Sequence, residues 1–94
     1  KLYEMSGKHA SVKDGTVYVN GKKFIKPAAT YSMSSAERSY FVLGNLAAAY
    51  QNGHSKQPAT ASGGTLYLGP QNIMTPVNGD PSAEELAAQL NKIK

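Results

Sequence analysis

Two dipeptides, Asp14-Gly15 and Asn20-Gly21, bracket the run TVYV at residues 16–19 and constrain the fold more than any other feature of the chain. Asn, Asp and Gly tolerate the positive φ that a two-residue type I′ turn demands, so each dipeptide predicts a hairpin. Together they predict a three-strand meander with strands near 9–13, 16–20 and 22–26. Two-residue turns also set the register: Lys13 opposite Thr16, Val12 opposite Val17, Val19 opposite Lys22, Tyr18 opposite Lys23 and Val17 opposite Phe24. Alternation then sorts Ala10, Val12, Val17, Val19 and Phe24 onto an apolar face. His9, Ser11, Lys13, Thr16, Tyr18, Asn20, Lys23 and Ile25 fall on the other.

The central strand has an echo. GTVYVNG at residues 15–21 returns 49 positions later as GTLYLGP at residues 64–70, and Pro27 returns as Pro76. The apolar pattern of Val17, Val19, Phe24 and Ile25 reappears in Leu66, Leu68, Ile73 and Met74, which predicts a strand near 65–69 and a short extended piece after it. Each copy leads into a helical pattern. Ser34 with Glu37 and Ser82 with Glu85 are capping boxes, and Asn52-Gly53 is a stop signal, so helices are expected near 35–51 and 82–93. With the loop two residues shorter in the second copy, SAER at 35–38 meets SAEE at 82–85 and Leu43 meets Leu90. Chance similarity between two ββα stretches is the competing explanation of the echo.

The expected fold class is therefore α+β, an antiparallel sheet from two ββα units with two helices packed on one face. A chain of 94 residues suits a single domain, 1–94, whose halves 9–53 and 64–94 are joined by a polar linker at 54–63. The helix near 82–93 is amphipathic along one stripe. The helix near 35–51 is not: Tyr40, Phe41, Val42, Leu43, Leu46, Ala47 and Tyr50 exceed one stripe, so it is either covered on two sides or presents an apolar face to a partner.

Composition excludes more than it assigns. With no cysteine, disulfides, thiolate catalysis and Cys-ligated zinc are ruled out. The two histidines, His9 and His54, have no companion ligands at metal-binding spacing, so no metal or cofactor is expected. No apolar run reaches the roughly 18 residues of a membrane span. No nucleophile elbow, phosphate-cradling glycine loop or paired catalytic acids appear, and the acids of GDPSAEE are already explained by helix capping. The expectation is a protein that is not an enzyme. Because the chain opens on Lys1, an initiator, a cleaved signal or a longer N-terminal part are all open readings.

Two functions fit what remains, with a small enzyme lacking any recognisable motif as a further alternative. Only 17% of residues are charged, with six Tyr and no Trp, a balance that points towards a secreted, periplasmic or virion-associated setting. The first reading is a small binding or structural protein that works through a protein partner or self-association, as an accessory component of a cell-envelope or virion assembly. Tyr31, Met33, Tyr40 and Tyr50 are its candidate anchors, against the plainer expectation that Tyr40 and Tyr50 fill the core. The alternative is binding of nucleic acid or another polyanion. Residues 1–26 hold six lysines against Glu4 and Asp14, a net +4, while the remainder is neutral. Lys13, Lys22, Lys23 and Lys26 could meet phosphates with Tyr18 available to stack, although lysines at a hairpin edge also serve to prevent aggregation.

Overall fold

The computed structural model describes residues 9–94 and the short strand Tyr3–Glu4. Along the chain run β1 (Tyr3–Glu4), β2 (Ala10–Lys13), β3 (Thr16–Val19), β4 (Lys22–Ile25), α1 (Ser35–Gln51), β5 (Ala59–Ser62), β6 (Thr65–Leu68), β7 (Gln71–Met74) and α2 (Ala83–Ile93). The class is α+β. The strands fall into two antiparallel sheets, β1-β2-β3-β4 and β5-β6-β7, where one had been expected. Each meander is closed by its own tight turns, and α1 intervenes between β4 and β5, so helices and not strand pairing join the halves.

Asp14 and Gly15 sit at φ 53° and 77°, and Asn20 and Gly21 at 53° and 79°, the paired positive values of type I′ turns. Register follows from them, with Val12 opposite Val17, Lys13 opposite Thr16 and Tyr18 opposite Lys23. One pairing departs from expectation. A bulge sets Val17 opposite Ile25 and leaves Phe24 as the extra residue. Strict alternation is broken there, so both Phe24 and Ile25 are buried and Ile25 leaves the polar face.

The second meander repeats this geometry residue for residue at an offset of 49: Ala61 opposes Leu66, Thr60 opposes Tyr67, and a bulge sets Leu66 opposite Met74. Its first strand, β5, occupies residues 59–62, inside the stretch expected to be a linker. ATAS carries too little apolar surface to announce a strand. It is held by the Gly63-Gly64 turn and by Asn91, whose amide donates to the Ala59 carbonyl at 2.9 Å and accepts from the Ala59 N–H at 2.8 Å, as a neighbouring strand would.

Both helices begin with complete capping boxes, Ser34 with Glu37 and Ser82 with Glu85. These caps align the helices at an offset of 48, one residue away from the expected alignment. Val42, and not Leu43, is therefore the counterpart of Leu90; both are buried, whereas Leu43 is only partly so. Packing is interlocked: α1 lies on β2, β3 and the opposite half's β7, while α2 lies on β5, β6 and the opposite half's β4. This pseudo-twofold arrangement gathers Val12, Val17, Val19, Leu46, Leu66, Leu68, Ile73, Leu86 and Leu90 into one core. Each apolar face is thus buried by elements of both halves.

Candidate partner-binding site

Helix α1 is the element on which the two halves differ most. Its core stripe is Val42, Leu46 and Ala49, joined near the N-terminus by two polar residues, Arg38 and Ser39. At an offset of 48, Arg38 stands where α2 has Leu86. The guanidinium is buried and satisfied: Nη1 donates to Asp80 at 2.8 Å and to the Ala28 carbonyl at 2.7 Å, and Nη2 reaches the Thr75 carbonyl at 3.4 Å. Asp80, with its side chain 0% exposed, also accepts from the N–H groups of Ala28 at 2.7 Å and Val77 at 2.9 Å. Burial pushes the Asp80 carboxyl up, but the two backbone N–H groups and the Arg38 charge outweigh it and hold the group below its usual value. One ion pair therefore fastens the loops that precede α1 and α2 to the first turn of α1.

Beyond the clasp, α1 and β7 leave a cleft of about 240 Å³ lined by Met33, Phe41, Asn45, Asn72 and Met74 among others. Asn45 donates to the Ile73 carbonyl at 2.9 Å, covering the edge of β7. The outer rim is aromatic. Phe41 is 66% exposed and Tyr40 is 44% exposed, and with Glu37 they border an open hollow of about 300 Å³. At the same offset α2 carries Ala88 and Gln89 in place of this pair. The aromatic rim is specific to the first half.

The four anchors expected from sequence are distributed unevenly. Met33 lines the cleft with Phe41. Tyr31 is fully exposed on a turn closed by the bond from the Thr30 N–H to the Met33 carbonyl. Tyr40 lies on the solvent face of α1. Tyr50 lies elsewhere: it is half-buried against the core near the helix C-terminus and stacks on His9 with ring centroids 4.8 Å apart. Burial raises its phenol above the ordinary value. Phe41, Arg38, Asn45 and Asp80 had not been singled out. Phe41 was detectable, because it falls roughly 100° round the helix from the stripe of Val42, Leu46 and Ala49, off the core face.

Lys13, Lys22, Lys23 and Lys26 are all exposed on the first meander, with half-buried Tyr18 between Ser11 and Lys23. Their counterparts at an offset of 49 are Ser62, Gln71, Asn72 and Thr75, all uncharged. The sheets thus match in register and differ in charge.

Among the described residues no group of three or more His, Cys, Asp or Glu converges on a point where a metal could sit. None of the described helices is long and apolar enough to cross a membrane. These features define an α+β fold of two halves alike in strand register, whose first helix carries a solvent-facing aromatic surface. No family model, curated protein or solved structure compared with this chain matches it.

Proposed function

We propose that this chain is a non-enzymatic binding protein that works by protein association through the outer face of α1 and the adjoining cleft. One observation carries the reading: two exposed aromatics, Tyr40 and Phe41, stand where the equivalent helix has Ala88 and Gln89. The second half builds the same helix with a small and a polar residue at those positions, Gln89 reaching the Lys23 carbonyl at 3.3 Å, so large rings are not needed there to form the helix. Large exposed rings near a partly open cleft of mixed polarity are what an interface uses for anchorage. The test compares the wild-type chain with Tyr40→Ala/Phe41→Gln, which imports the α2 residues. Loss of assembly, with itself or with a purified partner, while the fold is kept supports the reading; unchanged assembly overturns it.

A second reading is supported by the charge difference between the sheets. Four lysines on one meander have four neutral counterparts on its structural twin, which suits a polyanion on the first sheet alone. Edge protection offers a competing explanation, since lysines guard an exposed outer strand, although each outer strand is also met by a helix, β7 by Asn45 at the Ile73 carbonyl and β4 by Gln89 at the Lys23 carbonyl. Oligonucleotide binding that weakens steeply with salt, and that Lys22→Ala/Lys23→Ala reduces for all sequences alike, would favour the polyanion. No binding at low salt would remove it.

A further inference from the structure

Gly44 sits in the middle of α1, exposed, and among the described residues nothing beyond its own helix backbone lies within 4 Å of the position a Cβ would take. Glycine is among the poorest residues for a helix interior, and neither a positive φ nor a close contact with the described residues calls for one here. Its surroundings are ordered around it. Gly44 lies opposite the buried stripe of Val42, Leu46 and Ala49, at the centre of an outward face formed by Glu37, Tyr40, Phe41, Ala48 and Gln51, with Ala47 half-buried at its margin. Three and four residues before it stand the two rings; three and four after it stand two alanines. Seven before is an acid and seven after an amide.

We infer that this face pairs with the same face of a second copy, the two α1 helices crossing antiparallel about a twofold axis at Gly44. The inference rests on the association reading and names its partner. At about 1.5 Å rise per residue, the rings lie about 4.5–6 Å to one side of Gly44 and the alanines the same distance to the other. A twofold axis perpendicular to the helix then seats Tyr40 on the partner's Ala47 and Phe41 on the partner's Ala48, bulk against absence of bulk. Glycine on both sides of the crossing lets the backbones approach, the role small residues play wherever helices pack closely. At the ends, Gln51 of each copy enters the hollow bordered by the partner's Glu37, Tyr40 and Phe41, where its amide can donate to the Glu37 carboxylate. The two Glu37 side chains lie at opposite ends of the contact, so the only formal charge on the face is not set against itself.

A single helix pair buries less than the roughly 1,200 Å² of a standard interface, so the dimer is reversible, populated near about 1 mM chain and dispersed at micromolar concentration. The test is sedimentation equilibrium over that range with wild type, Gly44→Leu and Phe41→Gln, each checked for fold by circular dichroism. Gly44→Leu has open space around it in the single chain and should keep the fold while weakening the dimer by at least about tenfold. Because the chain has no cysteine, Gly44→Cys supplies a single thiol, which should oxidise readily to a disulfide-linked dimer. Thr60→Cys, on the exposed sheet face, should not. A wild-type chain that stays monomeric to about 1 mM, or a dimer indifferent to Gly44→Leu, overturns the pairing. If the chain is monomeric but Tyr40→Ala/Phe41→Gln abolishes capture of a different protein, self-pairing fails and the association reading survives. If the aromatic variant changes neither, both fail.

Discussion

Removing the carboxylate of Asp80 should destabilise the fold far more than removing its cationic partner. Asp80→Ala leaves the buried Arg38 guanidinium without its counter-charge and strips the N–H groups of Ala28 and Val77 of their acceptor. Breaking a buried pair from one side costs about 3–5 kcal/mol, and the orphaned donors keep the loss towards the upper end. Arg38→Leu installs the side chain that α2 uses at the equivalent position, Leu86, and leaves Asp80 still accepting two backbone bonds, so a loss of about 1–3 kcal/mol is expected. Urea unfolding followed by circular dichroism at pH 7 measures both. The sign of the pH dependence follows from the lowered carboxyl. A group whose folded pKa lies below its unfolded value near about 3.9 contributes fully above that value, and the contribution is lost as pH falls through the folded pKa. Wild-type stability should therefore decline below about pH 4, and Asp80→Asn should flatten that decline. Asp80→Ala losing under about 1 kcal/mol, or less than Arg38→Leu, would refute the clasp as the link between loops and helix.

Two further outcomes follow from the same geometry. Gly44→Ala, measured by urea unfolding at micromolar concentration, should raise the stability of the single chain by about 1 kcal/mol, since an exposed helix-interior glycine gains from any Cβ. Ser34→Ala and Ser82→Ala should each cost about 1 kcal/mol, because the two capping boxes are the same device at equivalent positions; a large difference between them would weaken the equivalence of the helices.

Much of this architecture is legible in the residues. Xaa-Gly turns with positive φ specify the first meander, and Ser-x-x-Glu boxes specify both helix starts. The bulges were not legible. An extra residue in β4 changes which side chain faces inward without altering the apolar pattern, so Ile25 was set on the wrong face and Met74 could not be paired. β5 escaped because Ala59 and Ala61 bury little, and its pairing depends on Asn91 from 32 residues away. At the candidate site, Tyr31, Met33 and Tyr40 were reachable from an over-apolar helix and the loop before it. Tyr50 shares the helix but faces His9 and the core, the plainer of the two expectations for it. Arg38 and Asp80 are 42 residues apart, and only the interlocked packing brings them together. Aligning the two capping boxes would have exposed the contrast between Arg38 and Leu86, and with it the divergence of α1.

The central claim is that the outer face of α1 works by pairing with the same face of a second copy. A dilution series of amide correlation spectra tests it most directly, from about 1 mM down to about 10 µM. The account predicts concentration-dependent shifts centred on Glu37, Tyr40, Phe41, Gly44, Ala48 and Gln51, with the outer faces of both sheets unmoved. Shifts centred on Lys13, Lys22 and Lys23, or spectra that do not change across the whole range, would contradict it.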